Sequence, residues 1–323
     1  MSDGSSRVYR QALTDIDITK PNVARVYDYF VGGKDNFSAD REFARRAMEL
    51  APKAPLSAQN NRAFLRRVVR YLVGEAGITQ LIDIGSGLPT AGNVSEVAHE
   101  INPGVHVVYV DNDPVVYTHS KALLSDPVNA DIINADIRDP GDILADPIVA
   151  RLIDFDQPVG LLLVAVLHHV QDGDDPAGIA ARLRAAMPSG SYLAISSFRL
   201  PGWDLPELRA TTIEGEKLLA DGLGSGRWRE DDEIRSWFGD WELLPPGLVS
   251  LAEWRPETPA KIEHDRTTTA SSAASPASRR SRCYPALSAP SMRYRAPETY
   301  SDSDESSHST RFATSAAVPY RLP

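Results

Sequence analysis

The chain has one cysteine, Cys283, among 323 residues. A lone thiol excludes an internal disulfide framework and any thiolate-rich zinc site, and it agrees with a reducing compartment. Also missing are an apolar run of about eighteen residues, the length a membrane span needs, and the basic flank and apolar centre of a secretory signal at the N-terminus, MSDGSSRVYRQALTD. These absences predict a cytoplasmic protein with no membrane segment. Basic charge is scarce as well: residues 1–260 carry 25 Lys and Arg against 38 Asp and Glu, a net −13 within an overall −10. An acidic body disfavours a nucleic-acid partner or an anionic membrane surface. What remains, with 42% hydrophobic and 24% charged residues, is enough to bury one sizeable core.

The chain opens with helical periodicity. Val23, Val26, Tyr27 and Phe30 recur at i, i+3, i+4 and i+7, one face of a short helix closed by Gly32-Gly33. A second helix begins at Ser38 and turns Phe43, Ala47 and Met48 inward; a third, over 58–73, does the same with Phe64, Leu65, Val68, Val69 and Leu72. From Gln80 the pattern changes. Short apolar runs at 80–84, 105–110, 132–135, 158–166 and 191–197 alternate with helical stretches at 90–101, 114–124 and 177–187. Runs apolar on both faces, separated by helices, predict a parallel sheet covered on both sides, a doubly wound Rossmann-like α/β domain. Helices are also expected at 205–220 and 229–238, before a late strand in WELLPPGLVSLAEW interrupted by Pro245-Pro246. Beyond Thr258 the chain is rich in Ser, Thr, Ala and Pro and has too little apolar content to offset its own ordering. The organisation expected is a helical cover (1–78), an α/β core (79–258) and a low-complexity, disordered tail (262–323).

One stretch, LIDIGSGLPTAGN at 81–93, carries the chemistry. A strand ending in Asp83 and followed by Gly85 and Gly87 puts a glycine turn at the carboxyl edge of the first strand, where open α/β sheets bind ligands. A dinucleotide fingerprint wants a third small residue at position 90, and Thr90 stands there. Asp111 ends the second strand 24 residues after Gly87, close to where a ribose-binding carboxylate belongs. Asp136 ends the third, placed to accept from an adenine amino group, with Ile137 beside it to pack on the ring. Asp83, ahead of the glycines, suits a cationic α-amino group better than a pyrophosphate, and that combination describes S-adenosylmethionine. A plain tight turn, with the acids serving as helix caps before Pro114 and Pro140, is the competing reading.

The stretches ITKPNVARVYDYFVGGKDNFSADRE, NNRAFLRRVVRYL, LIDIGSGLPTAGNVSEVA, VVYVDNDPVV, ADIRDP, LLLVAVLHHV and GLVSLAEWRP, spanning residue 16 to about 257, resemble an actinobacterial family of S-adenosylmethionine-dependent methyltransferases of unassigned substrate. The resemblance implies a seven-stranded class I methyltransferase sheet under a helical amino-terminal cover. It also implies that Asp83, Gly85, Ser86 and Gly87 take the methionine part of the cofactor, Asp111 and Asn112 the ribose, and Asp136 and Ile137 the adenine. Ala165 would then line the site near the sulfonium, and Gly33, Lys34 and Asn36 with Tyr29 and Arg62 would close over the cofactor. Members of that family continue after EWRP into a final antiparallel edge strand, and residues 260–323 show no pattern for one.

In VLHHVQDGDDP, His168 and His169 follow the fourth strand, the edge where this class presents its acceptor. His168 is the candidate catalytic residue, since an imidazole titrates near neutrality and accepts a proton as the methyl moves. Nothing in the spacing of His168, His169 and the nearby aspartates fixes a metal geometry, so no metal is expected. The function expected is methyl transfer to an oxygen or nitrogen of a small molecule. A non-catalytic sensor of S-adenosylmethionine or its demethylated product, and a nicotinamide oxidoreductase, are the alternatives.

Overall fold

The apolar runs fold into the strands of one sheet: β1 (Gln80–Ile84), β2 (His106–Asp111), β3 (Ala130–Asn134), β4 (Gly160–Val164) and β5 (Tyr192–Phe198). The computed structural model describes residues 17–89, 92–124, 128–256 and 267–276. With β6 (Glu242–Leu243) and β7 (Thr268–Ala274) the strand order is β3-β2-β1-β4-β5-β7-β6. The first five pair in parallel. The order reverses between β1 and β4, which opens a crevice beyond their carboxyl ends.

Alternation along each strand divides the core between the two faces of the sheet. Ile82, Ile84, Val108, Val110, Leu161 and Leu163 pack into one cluster; Leu81, Val107, Tyr109, Leu162 and Val164 pack into the other. Around the sheet lie α4 (Val94–Ile101), α5 (Pro114–Leu123), α6 (Pro140–Ala145), α7 (Pro147–Leu152), α8 (Pro176–Ala186), α9 (Pro206–Leu223) and α10 (Asp231–Ser236). Four of these begin with a proline that directly follows an aspartate, where the missing N–H costs the first turn nothing. Among the described residues no helix is long and apolar enough to cross a membrane.

Ahead of the sheet stand α1 (Val23–Phe30), α2 (Ser38–Leu50) and α3 (Ala54–Arg70), the last extended by a π-helical turn over Tyr71–Glu75. A buried ion pair, Arg25 Nε to Asp40 at 2.9 Å, joins α1 to α2. The N–H groups of Asn22 and Phe37 also donate to Asp40, and Arg25 donates to the carbonyls of Asp17 and Lys20. That full set of partners is what lets two charges be buried.

The C-terminal part departs from expectation. Within the stretch assigned to the tail, Thr268–Ala274 forms a complete antiparallel strand against β5, from Tyr192↔Ala274 to Phe198↔Thr268, and it carries β6 on its other side. Its side chains, TTASSAA, are small and almost all buried. Backbone pairing on both edges builds this strand, and small side chains let it lie under its neighbours, so it has none of the apolar signal by which strands are recognised. The late strand expected in 241–254 shrinks to the two residues of β6, ending just before the cis Pro245-Pro246 bond. Apart from Thr267, Ser275 and Pro276, which flank this strand, the rest of the expected tail lies outside the described residues.

Candidate functional site

β1 brings Asp83 to the carboxyl edge of the sheet, one residue before the strand ends. The chain then turns sharply. Gly85 has φ +75, and a Cβ there would stand 2.5 Å from Val166 Cγ2; Gly87 has φ +67 and faces open space. Glycine is needed at both for handedness, and at Gly85 for close approach as well. The Gly87 N–H donates to Asp111 Oδ2 at 2.8 Å and the Asp113 N–H to Oδ1 at 3.0 Å, which ties the turn to the end of β2. Asp113, not Asp111, caps α5 by accepting from Val115 N–H.

Asp83 and Asp111 are both buried. Burial pushes the Asp83 carboxyl up to about 7, an effect that the Arg62 guanidinium moderates and the Asp111 charge adds to. Asp111 is pushed up to about 6, again chiefly by burial, against the pull of the N–H groups of Asp113 and Gly87. Arg62 Nη2 and Ser86 Oγ are buried and have no hydrogen-bond partner among the described residues. A ligand bearing both an ammonium and a carboxylate answers this arrangement, the one at Asp83 and the other at Arg62.

Asp136 is different. Arg138 donates to it through its backbone N–H, Nε and Nη2 at 2.9, 3.0 and 2.6 Å, and Asn112 Nδ2 donates at 3.0 Å. Those hydrogen bonds hold its carboxyl down at about 2. They also occupy all four acceptor positions of the carboxylate, so in this arrangement an adenine amino group finds none free. The Arg138 side chain is 54% exposed and can leave at little cost.

Beyond β4, Ala165 holds φ +58, a left-handed conformation that costs a residue with a Cβ about 1–2 kcal/mol. Its N–H donates to Ser196 O (3.1 Å) and Oγ (2.9 Å), and Ser196 Oγ donates to Asn61 Oδ1 at 2.6 Å. Asn61 Nδ2 in turn donates to the Tyr27 hydroxyl, which donates to Ala58 O. One hydrogen-bond chain thus links the helical cover to the strand ends.

Between cover and sheet lies a cavity of about 1000 Å³. Asp83, Gly85, Ser86, Gly87, Asp111, Asn112, Asp136, Ile137, Ala165, Arg62 and His168 all line it. Tyr29, Gly33, Lys34 and Asn36 are not among its lining residues. Asn36 Nδ2 and the Gly33 N–H instead donate to the Asp28 side chain and carbonyl, and a Cβ on Gly33 would collide with Asp28, so this motif folds a turn around a buried acid. Lys34 is exposed, and Tyr29 packs with Val26 and Phe43. Tyr27 lines the cavity in place of Tyr29, on the apolar face that Val23, Val26, Tyr27 and Phe30 define.

The two histidines also part company. His168 is 2% exposed, stacks on Phe198 (3.8 Å between centroids, 20°) and accepts the Phe198 N–H at Nδ1, 3.3 Å away. Burial, followed by His169 and Arg229, keeps its pKa well below the ordinary imidazole value. It is therefore neutral, and an accepting Nδ1 puts its proton on Nε2. His169 is half-buried, its pKa is pushed down to about 4 by burial, and its Nδ1 lies 2.9 Å from Ser225 Oγ. It too lines the cavity.

A sequence profile described as S-adenosyl methyltransferase matches residues 9–279. The chain is 42% identical to a protein from Thermobifida fusca YX named as a candidate methyltransferase, over 81% of this chain and 97% of that one, with a TM-score of 0.75. A domain-of-unknown-function family protein from Streptomyces avermitilis MA-4680 is 35% identical over 80% and 99% of the two chains, also with a TM-score of 0.75. No curated protein matches in sequence.

Proposed function

Since the chain belongs to the S-adenosyl methyltransferase family and is thus an S-adenosylmethionine-dependent enzyme, we propose that its cavity holds cofactor and acceptor together and that the acceptor is an oxygen or nitrogen of a small molecule. The observation that carries this reading is the pair of buried carboxylates, Asp83 and Asp111, at adjacent strand ends, joined by the Gly85–Gly87 turn and faced by Arg62. When bound, S-adenosylmethionine supplies a methyl group on a sulfonium, whose C–S bond breaks as a neutral thioether leaves.

Asp83 would hold the α-amino group, Arg62 the carboxylate and Asp111 the ribose hydroxyls. Ile137 would pack on the adenine once Arg138 releases Asp136. Positioning supplies most of the rate for a leaving group this good, and the strained Ala165, held by Ser196, gives the strand edge a fixed shape. Of the two histidines, His169 is the one that could take the acceptor's proton, in the tautomer whose Nδ1–H donates to Ser225 Oγ and leaves Nε2 bare. His168 positions the loop. A cytoplasmic location goes with this chemistry.

Calorimetric titration with S-adenosylmethionine tests the assignment. Removing a buried acceptor of two hydroxyls in Asp111→Ala should cost about 1.5–3 kcal/mol, roughly ten- to a hundredfold in affinity. An unchanged affinity in a folded variant would refute it.

A further inference from the structure

The cavity is larger than one cofactor needs. At about 1000 Å³ it stands at the top of the range for drug-sized ligands, and its charged residues are not spread evenly around it. None of the residues that α1, α2, α9 and the segments 196–198 and 224–228 give to its wall carries a charge. The cations of the wall, Lys53, Arg62 and Arg138, come from the turn before α3, from α3 itself and from the loop between β3 and α6. On the uncharged side, His168, Phe198 and Trp228 form a continuous stack, with Phe198 and Trp228 4.3 Å apart at 10°. Trp228 Nε1 is buried and has no hydrogen-bond partner among the described residues.

Gly215 sits in the middle of α9 on this wall. Its backbone is ordinary helix, and a Cβ there would meet only Trp228 Cη2 at 3.7 Å and Leu50 Cδ2 at 3.9 Å, both normal contacts. Neither handedness nor close packing calls for glycine here, although glycine weakens a helix interior. What it leaves is room between Leu50 and Trp228, where any longer side chain would stand.

Resting on the cofactor reading above, we propose that this side of the cavity is the acceptor lobe. It takes an uncharged, ring-bearing small molecule beside the Phe198–Trp228 stack, in the space that Gly215 keeps open. Aromatic walls favour a flat ligand by offset stacking, and a carbonyl or ether oxygen on it would satisfy Trp228 Nε1. A sulfonate or phosphate would lose its water there against a wall whose own residues carry no charge.

The test is a set of calorimetric titrations with S-adenosylhomocysteine present, using naphthol and hydroxycoumarin as neutral probes and their sulfonated counterparts as charged ones. The neutral probes should bind at least about tenfold more tightly than the charged ones, and Gly215→Leu should weaken them by about tenfold or more while S-adenosylmethionine affinity stays within about twofold. Gly215→Ala, which only removes a helical glycine, should still bind them and shows that substitution at this site does not cost the fold. Charged probes binding as well as neutral ones, no probe binding at all, or Gly215→Leu binding like the parent would each overturn the proposal while leaving the cofactor site intact. Loss of S-adenosylmethionine binding in the parent protein would instead overturn the reading on which it rests.

Discussion

The strand-end side of the cavity is fixed by backbone geometry and buried charge, whereas the helical side is fixed only by volume. At the strand ends glycines with a left-handed φ and two carboxylates raised by burial occupy positions that few other residues fill, beside an alanine held in a strained conformation. Across from them, Phe43, Leu50, Leu208 and Leu219 present apolar surface that another side chain of similar size would replace. On the assignment proposed above, the difference divides two tasks: holding the cofactor needs defined atoms, and choosing the acceptor needs a shape.

The sharpest way to break the first side is Gly85→Ala. A left-handed φ and a Cβ at 2.5 Å from Val166 should together cost about 3 kcal/mol or more, read as a lower urea midpoint and as loss of S-adenosylmethionine binding. Next comes pH. Because burial raises Asp83 to about 7 and Asp111 to about 6, the cofactor-free fold keeps protons that the unfolded chain releases near pH 4, so its stability should fall as pH rises from there toward 7. On the proposed assignment, in which the ammonium pairs with an ionised Asp83, cofactor affinity should move the opposite way: it should climb by up to about tenfold per unit and level off above about 7. Asp83→Asn should flatten that rise in calorimetry across the same range.

On the helical side, α9 offers a matched pair. Gly222→Ala would put a Cβ 2.2 Å from Phe43 Cε2 and should destabilise by about 1–3 kcal/mol, while Gly215→Ala should stabilise by up to about 1 kcal/mol, both measured by urea unfolding. The smallest effect is expected at Arg138→Ala. Freeing Asp136 from an exposed partner should leave S-adenosylmethionine affinity within about threefold of the parent, on the tighter side; a large loss would mean that Arg138 itself touches the cofactor.

Much of this was legible in the sequence because parallel strands buried on both faces must be apolar throughout: β1 falls where QLIDI predicts it, and the remaining core strands end within about two residues of their runs. The glycine turn and its acids were legible for a similar reason, as few residue types satisfy that geometry. What escaped was set by partners distant in sequence or by contacts without a pattern. α6 and α7, six residues each, are too short to show a period. β7 exists through its pairing to β5, roughly seventy to eighty residues earlier. Tyr27 could have been preferred to Tyr29 from the apolar face of α1 alone. That Arg138 fills the acceptor positions of Asp136 could not, because a charged residue two places along looks like any solvated side chain.

The strand order carries a consequence for how the molecule assembles. β6 touches the sheet only through β7, although it is made first, and β5 has no neighbour on that side until β7 arrives. A two-residue strand cannot hold itself in place, so β6 must wait for a segment some twenty-five residues further along. Closing such long loops is slow. The edge of β5 that bears Ser196 and Phe198 is therefore completed only by a segment far along the chain, and β6 can join the sheet only where that segment already lies.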